Sequence, residues 1–231
     1  MKKIVCLLML LFCMHYYGDA QVGIGTTTPD DGSALQIDST TGAFVPPRMT
    51  NTQMMSITTP LDGALVFNTT KSSYCIYKNS AWTSLTNSAL VMNMVGTSGN
   101  SIISTNTNTY YDFPIGSSNV LVTNSQVYNV TANGTITIQE PGNYMFSASL
   151  SIRNMPSGST KFIIAITVNG HLIGYLSRGF ATLTGTDYWG TSGNIMYPIN
   201  ANDEVKIRYV INNGGTPLEA QFVNIGITKL N

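Results

Sequence analysis

The residues able to do covalent chemistry are few and scattered. His15 falls in an N-terminal segment that has the form of a leader, which leaves His171, directly after Asn169-Gly170, as the remaining imidazole. A Ser–His–acid triad would have to use it, and no Gly-x-Ser-x-Gly elbow is present. Cys6 and Cys13 lie in the same N-terminal segment, so Cys75 stands alone. One His and one Cys do not make a zinc site within a chain; only an axis that gathered three copies of His171 would offer a metal three nitrogens. The carboxylate pairs Asp30-Asp31 and Asp203-Glu204 sit in turn-like contexts, where neighbouring side chains need not converge. Glycoside hydrolysis needs two carboxylates about 5–10 Å apart, and the Asp-x-Asp-x-Asp-Gly calcium loop is absent. Val22-Gly23-Ile24-Gly25-Thr26 lacks the Gly-Lys-Ser/Thr ending of a phosphate loop. The expectation is a protein that is not an enzyme and has no metal and no cofactor.

Binding is the chemistry that remains. Tyr110, Tyr111, Tyr188 and Trp189 are candidate ligand contacts, because exposed aromatic rings serve both sugar surfaces and protein interfaces. Tyr188 and Trp189 are adjacent, so in a strand they face opposite ways and one belongs to the core. Charged residues make up 10% of the chain, at a formal net charge of zero. The basic residues beyond the N-terminus, from Arg48 to Lys229, form no cluster of the kind that neutralises phosphates. No nucleic-acid partner is expected.

Elements must hold those rings in place. The abundance of Gly, Ser, Thr and Asn with Tyr and Phe suits strands joined by turns. Lys2-Lys3, the apolar run Ile4–Met14 and the small residues Gly18-Asp19-Ala20 predict a signal peptide over residues 1–20. The run is too short to span a bilayer, and no later segment predicts a transmembrane span. The competing reading lipidates Cys13, although Phe12 precedes it where a small residue is wanted. Either way the protein is expected to be exported, secreted or held at the cell surface.

Residues 21–85 predict a small β-rich connector module. Ala34–Asp38 has the pattern of a short strand. Thr50 with Gln53 three residues on matches a capping box, opening one short helix over 51–58 that stops before Pro60. Ala64–Asn68 and Tyr74–Tyr77 form a hairpin, closed by Trp82. The motifs Val22-Gly23-Ile24-Gly25-Thr26 with Pro29, Pro46-Pro47-Arg48-Met49-Thr50 with Gln53, Pro60-x-x-Gly63, Asn68-Thr69 and Asn79-x-x-Trp82 resemble a module common in secreted bacterial surface proteins and phage tail-fibre-like proteins. That resemblance implies a non-catalytic stalk that assembles with its copies. Where the module often carries a charge after the Gln, Met54 and Met55 stand here.

Residues 86–231 alternate with period two. Tyr144, Phe146, Ala148, Leu150 and Ile152 share one face, and Met145, Ser147, Ser149 and Ser151 the other. Strands also fit Lys161–Asn169, Asp203–Asn212 and Gln221–Leu230. Asn169-Gly170 marks a two-residue hairpin. The expected class is all-β, a C-terminal jelly-roll β-sandwich after the small module. Gly134–Phe146, with its Pro141-Gly142-x-Tyr144-x-Phe146, resembles the signature of the complement globular-head and tumour-necrosis-factor superfamily. So do Ser192–Ile199 with Asn202-Asp203-Glu204-Val205, and the final Phe222–Ile227. Asn202 replaces the usual Gly of that turn, a substitution a left-handed conformation tolerates. The resemblance implies a ten-strand jelly roll in a homotrimer. Apolar residues on a strand's second face need a second cover, which makes Ile163, Ala165, Val210 and Phe222 candidate trimer contacts, with a covering loop of the same chain as the alternative. The expected function is a trimeric structural or adhesive binding protein that contacts a protein or glycan partner through its head. A carbohydrate-binding lectin is the alternative, and a glycan-acting enzyme the more distant one.

Overall fold

The computed structural model describes residues 21–85, 88–97, 99 and 101–230; the signal peptide expected over 1–20 lies outside them. The chain divides after Arg48 into two compact units. In the first, β1 (Val22–Ile24) pairs in parallel with β2 (Leu35–Ile37). Gly25 makes this close pairing feasible: its φ is +79°, and a Cβ there would lie 2.0 Å from the Asp38 carbonyl oxygen. Asp30 serves the connecting turn, its carboxylate accepting from the Gly32 N–H at 2.9 Å.

The division falls within β3 (Arg48–Met49). Helix α1 (Asn51–Met55) follows, and the capping box is formed as expected. The Gln53 N–H donates to Thr50 Oγ1 at 3.3 Å, and the Thr50 N–H to Gln53 Oε1 at 2.9 Å. The helix ends three residues earlier than 58. The Ser56 hydroxyl donates to the Gln53 carbonyl at 2.7 Å, and β-branched Ile57-Thr58-Thr59 before Pro60 offers little to extend it. Strands β4 (Leu65–Asn68), β5 (Ser73–Lys78) and β6 (Ala81–Ser84) complete a sheet in the order β3-β4-β5-β6. Trp82 therefore stands in a third strand. Met54, Val66 and Cys75 form a small buried cluster beneath α1.

The remaining strands are β7 (Ala89–Val95), β8 (Ile102–Ile103), β9 (Tyr111–Asp112), β10 (Val120–Val122), β11 (Tyr128–Val130), β12 (Ile136–Ile138), β13 (Gly142–Met155), β14 (Gly158–Val168), β15 (His171–Leu183), β16 (Asp187–Ile199), β17 (Asp203–Ile211) and β18 (Leu218–Lys229). One sheet runs β10-β7-β18-β13-β16 with β8 beside β18; the other runs β11-β12-β17-β14-β15 with β9 beside β17. All pairings in these two sheets are antiparallel. From β12 to β18 only β14 and β15 are sequence neighbours within one sheet. The other connections cross between sheets, which is the winding of a jelly roll. The ten strands of the two main paths match the expected count, with short β8 and β9 added.

The core lies between the sheets. Tyr144, Phe146, Ile152, Val205 and Ile225 contribute inward side chains, each stabilising by about 1.5–3 kcal/mol when fully buried. Asn169 (φ 51°) and Gly170 (φ +80°) both occupy the left-handed region, the geometry of a two-residue hairpin, and Val168 pairs with His171 across it. Asn202, at φ 68°, takes the left-handed turn expected of it. The hairpin sheet and the sandwich meet at Glu140, whose carboxylate accepts from Lys71 of the β4–β5 turn and, at 2.9 Å, from Lys229 of β18.

Candidate association face

The outward face of the β7-β18-β13-β16 sheet is built by strict alternation. Inward positions of β13 fill the core, so Met145, Ser147, Ser149 and Ser151 point away from it. The pairing aligns these four with outward residues of the three neighbouring strands. Ser151 lies between Phe222 and Gly190, with Val95 beyond Phe222. Ser149 lies between Asn224 and Ser192, with Asn93 beyond. Ser147 lies between Gly226 and Asn194, with Val91 beyond. Met145 lies between Thr228 and Met196, with Ala89 beyond. None of these residues is charged.

The pattern is neither core nor ordinary surface. Met196 is 66% exposed and Phe222 42%, at opposite ends of a middle formed by serine, asparagine and glycine. The Ser147 hydroxyl donates to the Gly226 carbonyl at 3.1 Å, so part of the polar middle is already satisfied within the sheet. Solvent-facing surfaces typically carry about 25–35% charged residues, whereas the centres of interfaces are depleted of them. Small side chains also let another surface approach the sheet closely. The first charge along β13 is Arg153, whose guanidinium donates to the Gly96 carbonyl at one end of the face.

The opposite sheet is different. Its outward residues include Lys161, Arg178, Glu204, Lys206 and Arg208, with Asp112 of β9 holding Lys206 at 2.7 Å and Arg208 at 2.9 Å. Ile163, Ala165 and Val210 lie on this charged side and are 5%, 0% and 1% exposed. Tyr110 packs over them, and Arg208 sits 5.7 Å from its ring centroid. These three side chains thus leave water without a second copy, because a segment of the same chain provides the cover. Phe222 alone of the four candidate contacts remains exposed, and it is the one on the uncharged face.

The aromatic candidates also separate. Tyr188 is 59% exposed at the start of β16, while Trp189 turns inward against Phe162, ring centroids 4.6 Å apart, as the strand geometry requires. Tyr111 stacks on Tyr209 at 5.8 Å and joins the core. Tyr110 borders a surface hollow. His171 is exposed beside its turn. Asp203 is spent on structure, its carboxylate accepting from Asn169 Nδ2 and the Asn200 N–H, both at 2.8 Å. Among the described residues no three His, Cys, Asp or Glu side chains gather to hold a metal ion, and no helix is long and apolar enough to cross a membrane. Sequence reasoning assigned Met145 and the three serines to the exposed side of one strand. The signal it passed over was the lack of charge on all four strands at once, which needs the strand order to be seen.

Residues 23–106 match the family model of the phage tail like trimerisation region. The match covers the connector module and runs through β7, the edge of the uncharged face. No curated protein matches the chain. Similar solved structures include murine APRIL, at 11% identity over 63% of this chain and 100% of that one, TM-score 0.44. The globular domain of zebrafish complement 1qA aligns at 15% identity over 63% of this chain and 98% of that one, TM-score 0.44. The PRD1 vertex protein P5 aligns at 16% identity over 62% and 97%, TM-score 0.43.

Proposed function

We propose that this protein is a non-catalytic, trimeric structural and binding protein, exported to act in the secreted medium or at the cell surface. Residues 21–85 act as its connector and residues 86–231 as its head. The observation that carries the reading is the uncharged outward face of β7-β18-β13-β16. Turned toward a threefold axis, it hides Phe222, Met196 and Val95 from water and leaves the charged sheet outside. The family model matched by residues 23–106 bears the description of a trimerisation region, which supports the same stoichiometry. Burial of each such large side chain contributes about 1.5–3 kcal/mol, so three copies of a few of them hold a trimer with no disulfide among the described residues, where Cys75 is free and buried.

Sedimentation equilibrium of the purified protein tests the assembly. The expected mass is three times that of one chain, at micromolar concentration and unchanged by reductant. A single-chain mass would overturn the reading. Binding of a glycan, the lectin variant of the same proposal, is favoured by one specific hollow on the charged sheet.

A further inference from the structure

That hollow lies on the outer side of β14, β15 and β17, away from the uncharged face, and so stays open in an assembly built on that face. It has a volume of about 270 Å³ and is lined by Asn108, Tyr110, Lys161, Tyr175 and Arg178 over a floor of Ile163 and Val210. This is just under the range of about 300–1,000 Å³ for sites that hold drug-sized molecules, which suits one ring with a substituent.

Its electrostatics are one-sided. Lys161 is held only by a neutral group, donating to Asn108 Oδ1 at 2.8 Å. Arg178 lies over the Tyr175 ring, 5.2 Å from its centroid. Among the described residues neither has a carboxylate partner, whereas the nearby Lys206 and Arg208 share Asp112. The strand register sets the spacing of the two free cations. Lys161 pairs with Phe180 and Ile163 with Arg178, so Lys161 and Arg178 are diagonal neighbours across the β14–β15 ladder. Diagonal positions lie about 7–8 Å apart at the backbone, within reach of two long side chains that share one anionic group. Tyr110 and Tyr175 each bring a phenol to the lining of the hollow, and Asn108 adds an amide. The apolar floor and the tyrosine rings offer a surface to C–H groups, while the hydroxyls and amide match a ligand rich in hydroxyl groups.

We propose that this hollow binds an anionic sugar residue, its charged substituent held between Lys161 and Arg178 and its ring against Tyr110 and Tyr175. The proposal rests on the binding-protein reading above and narrows its partner to acidic glycans. A carboxylate suits the planar fork of Arg178, so uronates are the expected form, with sulfated sugars the other source of the same charge. In a trimer three such hollows would engage one polymer, gaining avidity without new contacts.

Isothermal titration of the purified protein with a uronate oligosaccharide, a sulfated disaccharide and a neutral oligosaccharide of equal length is the test. Saturable binding of the uronate is expected, weakened at least tenfold by Arg178→Gln and by Lys161→Gln, and changed less than twofold by Lys206→Gln. Preference for the sulfated sugar with the same variant pattern would support the site and reassign the anion. Equal binding of the neutral sugar, no binding of either anionic sugar, or equal loss with Lys206→Gln would overturn the proposal. The mass of the same sample separates the two readings: a trimer without acidic-sugar binding ends this inference alone, and a monomer ends the assembly.

Discussion

At the scale of single residues, Cys75 is a reactive group used for packing. Burial raises the Cys75 thiol above its ordinary value, offset in part by Lys71 and reinforced by Glu140. A thiol kept protonated and out of solvent is a poor nucleophile. Cys75 is therefore expected to react with a disulfide reagent at least a hundredfold more slowly in the native protein than in denaturant; equal rates would show an open cluster under α1. Burial likewise pushes the Tyr209 hydroxyl up to about 12, its oxygen accepting from the Ser104 N–H at 3.1 Å. Gly193 is a second residue whose identity is dictated by its surroundings. A Cβ there would lie 1.7 Å from the Leu176 carbonyl oxygen, where β16 crosses β15. Gly193→Ala should cost about 3 kcal/mol, read as a drop in Tm, because backbone on both sides must shift. A variant with unchanged Tm would mean the two edge strands are not in contact.

At the scale of elements, the turn between β4 and β5 is tied to the sandwich through Glu140. Burial pushes this carboxyl up, but hydrogen bonds and charge from Lys71 and Lys229 outweigh it and hold it below 4.5. Because the folded carboxyl titrates below the unfolded one, its contribution is complete above pH 4.5 and is lost as pH falls through the folded value. Thermal stability is expected to fall below pH 4.5, and that component of the fall should vanish in Glu140→Gln. At neutral pH, Glu140→Ala should cost about 2–3 kcal/mol by leaving two ammonium groups half-buried and unpaired. Much at this scale was legible beforehand. The capping box, the Asn169-Gly170 hairpin and the strands β13, β14, β17 and β18 follow from patterns local in sequence. Strand β15 was not legible: bulges after Ile164 and Ile166 break its ladder with β14, and Gly174 and Gly179 interrupt its alternation. The cover over Ile163, Ala165 and Val210 was invisible for another reason, since Tyr110 reaches them from far away in sequence, 53 residues before Ile163 and 100 before Val210. Apolar residues on two faces show that a second cover exists but not which chain provides it.

At the scale of the molecule, the two sheets divide the work. One shows to solvent charge, a ring-lined hollow and two cations that have no carboxylate partner among the described residues; the other shows serine, asparagine and glycine rimmed by Phe222, Met196 and Val95. This asymmetry is a property of strand order and could not be read from any one strand. It is the ground on which the uncharged face is proposed as the surface where copies meet, and disrupting that face is the clearest trial of the account. Ser149 is at the centre of that face, paired between Asn224 and Ser192, so Ser149→Glu would place one buried carboxylate per chain in an interface with no cation to meet it. Thr182 is exposed on β15 of the charged sheet, and Thr182→Glu is the matched control. Light scattering of the three proteins at equal concentration should give a trimer for the wild type and for Thr182→Glu, and folded single chains for Ser149→Glu. A Ser149→Glu protein that remains trimeric would contradict the assignment of the interface.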